Sequence, residues 1–391
     1  MAWLKNRSKF HNTASTIEKS YVYPELRLSQ AEHAQTIAVS GKWLACAWSS
    51  RGGASLGVIP LEEHGKRPED VRQVHPHSQA IMDIQFHPYR DDLVGTVGDD
   101  GAVKVTDLAT DLISDVGAHG QDRPAYVFRW NLAADSVVAS GGADGMVRVW
   151  DASNPGKCLA EAATAPGCVW DLAWSYAGDP VVACMGDDKN LSLIDVRAAK
   201  VVFQGAAHAG TKRAKVAWLG NEDKLATTGF SKFRERQFFV WDKRNMEKPL
   251  ASKSYGSSPS VLTPHYDPDT KLVYLAGRGE SSVQVIDVSL AKSPYYTELV
   301  TGKVTAKDPH TSVALLPKRA LDVMDCEVGR LYRATARDYV EVVHFHVSRR
   351  NKDFFADELF PPTASAYSMS AQEFLDGSAR PPVTKSLDPE A

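Results

Sequence analysis

Apolar and polar residues alternate along this chain in short runs, and the runs recur. Val103, Val105 and Val147, Val149 alternate with Lys104 and Arg148, and the same beat returns in Leu191-Ser192-Leu193-Ile194, Phe238-Phe239-Val240 and Val283-Gln284-Val285. Period-two alternation places every second side chain on one face, which predicts strands. Further strand-like runs precede them: Ile81–Phe86, Tyr126–Trp130, Val169–Trp174 and Lys215–Trp218. Turn residues punctuate the runs at His87-Pro88, Gly141-Gly142 and Gly178-Asp179-Pro180. Few segments carry a helical period.

Each alternating run closes on Asp, at 107, 151, 195, 242 and 287, with gaps of 44, 44, 47 and 45 residues. Trp, Ile or Thr precedes that Asp, as in Trp150-Asp151 and Trp241-Asp242. A unit of about 40–45 residues with four short strands and a terminal Trp-Asp is the signature of a WD-repeat β-propeller. Gly57-Val58-Ile59-Pro60-Leu61 ends an earlier unit, and Tyr339–His346 supplies a later closing strand. The sequence therefore predicts an all-β, seven-bladed propeller with a long insertion before the last blade. An N-terminal strand at Lys9-Phe10 is expected to pair into that blade and shut the ring, covering edges that would otherwise template aggregation. Trp150 and Trp241 are expected to fill space between blades, and Asp83 and Asp171 to brace turns. The expected organisation is a propeller over 1–347, a C-terminal extension over 348–376 packed on it, and a flexible tail or linker over 377–391.

Composition narrows the function classes. Of 391 residues, 45 are Lys or Arg and 48 Asp or Glu, a net charge of −3. That balance argues against a nucleic-acid partner, which needs surplus positive charge. No apolar run reaches the roughly 20 residues that span a bilayer, and Met1–Ser20 has no signal-peptide core. The five cysteines (46, 158, 168, 184 and 326) form no CxxC pair and read as reduced thiols of a cytoplasmic protein, held in the core.

Candidate chemistry is sparse. The carboxylate pairs Asp99-Asp100 and Asp187-Asp188 fall at the same point of successive repeats, which marks a turn rather than a glycosidase pair. His75/His77 and His344/His346 share strand faces without a third ligand nearby in sequence. No nucleophile elbow, P-loop or H-E-x-x-H occurs. The expectation is no enzyme, no metal and no cofactor. Charge is uneven, however: Lys212–Arg244 holds nine Lys or Arg against four acids, which reads either as a set of solvated loops or as a docking patch for an acidic partner surface.

The same stretch, Thr227-Thr228-Gly229-Phe230-Ser231-Lys232-Phe233-Arg234-Glu235-Arg236-Gln237 before Val240-Trp241-Asp242, resembles the fifth blade of the coronins. The likeness continues in Tyr266-Asp267-Pro268-Asp269-Thr270, in Ala276–Ser282, in Leu316–Val323, in Asp357-Glu358-Leu359-Phe360-Pro361 and in the opening Ser8-Lys9-Phe10. It spans roughly residues 8 to 365. The resemblance implies a non-catalytic, cytoskeleton-associated actin regulator that binds filamentous actin through basic propeller residues and scaffolds other cytoskeletal or trafficking proteins. The candidate contacts are Arg27, Lys212, Arg213, Lys215, Lys232, Arg234 and Arg236. One departure weakens the actin site: the second of the family's two N-terminal arginines is Gln30 here, and a neutral amide contributes less than a charge-assisted contact. The tail over 377–391 carries Pro381, Pro382 and Pro389, which forbid the continuous helix of a coiled coil. That lack resembles the tandem-propeller coronins, of which the chain is expected to be one half. The alternative is an adaptor in membrane trafficking or protein turnover with little affinity for actin.

Overall fold

A computed structural model describes residues 8–390 except 33, 51–52, 66–70, 121–122, 165–166 and 350–353. Met1–Arg7, counted above in the propeller, and 350–353, counted in the extension, lie outside the described residues.

The strands group into seven blades around a central channel. Six follow the chain in order, over residues 37–77, 81–118, 125–163, 169–206, 215–257 and 262–305. The seventh joins the two ends: Thr13–Tyr23 pairs antiparallel with Val340–Val347, which continues through Glu327–Thr335 to His310–Leu315. Seven apolar clusters lie one at each junction between neighbours, including the junction of the last blade with the first, where Leu44 and Ile37 meet Val340 and Val342. Burying one side chain set between each pair of sheets is what makes the ring cooperative and leaves only short edges. The approach is close. The ring of Phe128 occupies the space a Cβ on Gly95 would take, and Trp150 does the same at Gly117.

Two expectations change. The closing strand is Thr13–Tyr23, not Lys9-Phe10. Phe10 is instead a fully buried plug between the sixth and seventh blades, against residues such as Tyr274 and Phe345, and Ser8 beside it donates to the closing carboxylate Asp287. The stretch after Asp287 is not an insertion: Thr297–Glu298 and Val304–Thr305 both pair with Ser282–Asp287, giving the sixth blade an outer strand in two pieces.

The Trp-Asp ends acquire definite roles. Trp150 Nε1 donates to Ser140 Oγ (2.8 Å), which sits 2.8 Å from His119 Nε2, and His119 Nδ1 lies 3.0 Å from Asp144. Trp241, Thr227 and His208 repeat this relay in the fifth blade. The closing aspartates accept the amides two residues on, as Asp107 does from Ala109 (2.9 Å) and Asp151 from Ser153 (3.0 Å), stopping the strand in a side-chain-made turn.

The C-terminal extension crosses the lower end of the ring, where the innermost strands finish. Leu359 and Phe360 enter the cluster between the sixth and seventh blades. Tyr367 reaches His87. A short helix, Ala371–Leu375, opens on Ser370, whose hydroxyl accepts from the Glu373 amide while Glu373 accepts from the Ser370 amide. Its Phe374 is fully buried among residues of the third and fourth blades, against Trp174 and under the Arg197 guanidinium. The segment read as a tail includes Val383–Lys385, which pairs with Thr363–Ala366. No helix among the described residues is long and apolar enough to cross a membrane.

Candidate docking face and channel

The channel wall carries an ion chain that links neighbouring blades. Asp83 accepts from the Phe128 amide (3.0 Å) and from Arg129 (2.6 Å). Arg129 also donates to Asp171 (2.8 Å), and Asp171 accepts from the Val216 amide (3.0 Å), with Lys215 3.8 Å away. Asp83 and Asp171 therefore tie blade to blade rather than bracing turns. Burial pushes Asp83 upward, against the pull of Arg129. Their partners lie about one repeat further along the chain, beyond the reach of local pattern.

At the upper end, where the innermost strands begin, the seven candidate cations separate into three sets. Arg27, Lys232 and Arg234 are exposed. Arg27 lies on a segment held beside the first blade: Ser49 donates to its carbonyl (2.7 Å), and Leu28 bridges Trp48. Gln30 is exposed on the same segment, and Arg278 of the sixth blade donates to the carbonyls of Gln30 (3.2 Å) and Ala31 (2.9 Å). Lys232 and Arg234 flank Phe233 in the turn between Lys224–Phe230 and Glu235–Asp242. Ser231 Oγ shapes that turn by accepting from the Phe233 and Glu235 amides (both 3.2 Å), and Arg234 adopts φ +62°. Phe233 is 86 % exposed. Charge counting passed over it, although an aromatic between two cations in a turn was the available signal.

Lys212 and Arg213 form the second set, at the channel mouth. Lys212 donates to the Pro259 carbonyl (2.6 Å) and lies over Phe230. Arg213 lies 3.1 Å from the centroid of the Trp170 ring. The third set is not free to dock. Lys215 is inside the channel, on Asp171 and the Trp170 carbonyl (3.2 Å). Arg236 is buried, paired with Glu280 and donating to the Tyr255 carbonyl (3.0 Å).

The remaining candidates resolve into scaffold. Asp100 accepts from the Ser78 and Ala102 amides and sits 2.9 Å from His77, which also meets Thr96 at 2.9 Å. Burial opposes ionisation of Asp100, but these hydrogen bonds, His77 first, hold it at about 2. His344 and His346 gain a third neighbour that the sequence did not show, Glu327. Its carboxylate is taken by Arg330 (2.8 and 2.7 Å), the Asp322 amide (3.0 Å) and His344 Nδ1 (2.7 Å). Burial raises Glu327, yet His344 and Arg330 keep it at about 2. Arg330 thus engages both carboxylate oxygens of Glu327. Cys46, Cys184 and Cys326 are buried as expected, while Cys158 is exposed and Cys168 half-buried.

Comparison with known proteins agrees with this architecture. Family models described as "WD domain, G-beta repeat" match residues 68–107 and 129–151, one described as "Type of WD40 repeat" matches 340–382, and one described as "Domain of unknown function (DUF1899)" matches 4–66. The coronin-like protein of Schizosaccharomyces pombe is 29% identical over 379 residues, covering 94% of this chain and 62% of the relative, so the chain spans about three-fifths of that protein's length. Coronin-2A of Bos taurus is 30% identical over 365 residues, covering 90% of this chain and 69% of the relative. The crystal structure of the WD40 domain from Toxoplasma gondii coronin superposes with a TM-score of 0.89 at 28% identity, covering 97% of this chain and 98% of that one. With the ring closed by an N-terminal strand, the extension across its lower end and these relatives along nearly its whole length, this chain belongs to the coronin family.

Proposed function

We propose that the chain is a non-catalytic regulator of the actin cytoskeleton, working in the cytoplasm. It binds filamentous actin through Arg27, Lys232 and Arg234 and scaffolds other cytoskeletal proteins on the same ring. The observation that carries this reading is the placement of two exposed cationic segments, distant in sequence, at one end of the propeller. Separated positive groups on a rigid face complement an extended acidic surface and steer its approach. Phe233 supplies an apolar contact between two of the charges. Lys212 and Arg213 border the same face from the channel mouth, and Lys215 and Arg236 serve the fold.

Gln30 favours a second reading, an adaptor in membrane trafficking or protein turnover with little actin affinity, because its neutral amide offers less to an acidic filament. Co-sedimentation with actin filaments at low ionic strength separates the two: pelleting that weakens as salt rises supports the first, and no pelleting supports the second.

A further inference from the structure

The channel has two unlike ends. At the lower one Thr363 and Ala364 of the extension line it, together with Tyr89, Tyr176, Lys318 and Asp269. Leu359 and Phe360 fasten that segment between the sixth and seventh blades, and Tyr367 fastens it at the second. At the upper end no segment of the described chain is fastened across in this way. The space between is about 1080 Å³, above the roughly 300–1,000 Å³ of small-molecule pockets.

The rim of the upper mouth carries Lys189, Lys212, Arg213 and Arg278. Facing them are Glu32 and Asp187, and Asp187 is occupied with the Cys168 amide (2.9 Å) and the Trp170 indole (2.5 Å). Deeper charges offer nothing free, because Arg129 and Lys215 are balanced by Asp83 and Asp171. The cations are held by separate carbonyls. Lys189 is anchored on the Asp187 carbonyl, Lys212 on that of Pro259, and Arg278 on those of Gln30 and Ala31. Between them Tyr126 and Trp170 pack with ring centroids 4.3 Å apart and planes tilted by 32°, with Arg213 over the indole.

We infer that the upper mouth is a second binding site, distinct from the proposed actin contacts, for an acidic peptide segment that enters the channel in an extended form. Converging cations would suit a compact anion such as a phosphate cluster. Cations distributed along a rim, each already oriented by a carbonyl, suit carboxylates spaced along a chain. The Tyr126–Trp170 wall receives an apolar or aromatic side chain between those carboxylates.

The test is fluorescence anisotropy of a short fluorescein-labelled peptide of alternating glutamate and leucine, added to the full chain at low salt. The site predicts saturable binding that weakens with salt. It also predicts a loss of about three- to five-fold in Lys212→Gln and again in Arg278→Gln, the size of one partly exposed charge contact. Both variants are compared at unchanged melting temperature, and Lys232→Glu, outside the mouth, leaves peptide affinity unaltered. Absence of binding, equal binding of the matching glutamine–leucine peptide, or no effect of either substitution overturns the proposal. So does tighter, Lys212-dependent binding of inorganic tripolyphosphate. Actin pelleting by the same variants is read separately, so failure of the peptide site and failure of the actin reading are distinguishable.

Discussion

The Tyr367 hydroxyl and the His87 Nε2 lie 2.7 Å apart, joining the C-terminal extension to the lower end of the second blade. His87 Nδ1 accepts the amides of Tyr89 (3.1 Å) and Arg90 (3.0 Å), so the neutral ring carries its proton on Nε2 and donates it to Tyr367. Asn131 performs the turn half of this task one repeat later, accepting from Ala133 and Ala134 (both 2.8 Å). His87 thus combines a turn brace with a clasp.

Acid destabilisation follows from that arrangement. Burial, with help from Arg90 and Arg319, lowers His87 from 6.5 to about 4. The unfolded chain then binds more protons between those values, so stability is complete above about pH 6.5 and falls as pH drops towards 4. His208 and His265, lowered to about 4 by burial, act in the same sense. His87→Asn keeps the turn acceptor and removes one titrating group. Thermal melting across pH 7 to 4 is expected to show a shallower decline in the variant; an unchanged slope would contradict the role given to His87.

The Asp83–Arg129–Asp171 chain predicts a large penalty for losing its middle. Arg129→Met leaves buried Asp83 without its paired guanidinium and Asp171 with only Lys215, 3.8 Å away. Breaking a buried pair in this way costs about 3–5 kcal/mol. Urea unfolding of the two proteins measures it. A loss under about 1 kcal/mol would mean that water in the channel replaces the guanidinium.

Phe374 anchors the extension, and its removal is expected to act locally first. Phe374→Ala empties a site between the third and fourth blades and forfeits the Arg197 contact, with about 3–5 kcal/mol at stake. Hydrogen exchange is expected to rise over 363–385 before the blades respond, because only the extension depends on that anchor. Uniform acceleration across the ring would show that extension and propeller unfold together.

How much of this was legible in the sequence depended on how local the cause is. The closing strings around Asp107, Asp151 and Asp242 were readable because alternation and the Asp-made turn lie within eight residues. The closing strand Thr13–Tyr23 was not, since as an outer strand it buries few residues and reads as TASTIEKSYVY, with little apolar alternation. The need to close the ring drew attention to Lys9-Phe10, close to the right segment, but the burial of Phe10 comes from the sixth and seventh blades rather than from pairing. Counting charges marked the 212–244 region correctly as basic. It could not tell Lys232 from Lys215 or Arg236, because Asp171 and Glu280, which occupy the latter two, come from neighbouring blades. Arg278 lies within the Ala276–Ser282 motif, but its hold on the Gln30 segment spans the ring closure and leaves no local trace.

In the proposed function, the exposed cations at the upper end bind filaments. Co-sedimentation of actin with the wild-type chain and with the Lys232→Glu, Arg234→Glu double variant, at low salt, tests it most directly. Both residues are exposed, so folding is expected to be unaffected, and circular dichroism checks this. The account predicts salt-sensitive pelleting of the wild type and at least about a ten-fold loss of affinity on reversing two charges. Pelleting of the double variant indistinguishable from wild type, or no wild-type pelleting at low salt, would contradict it.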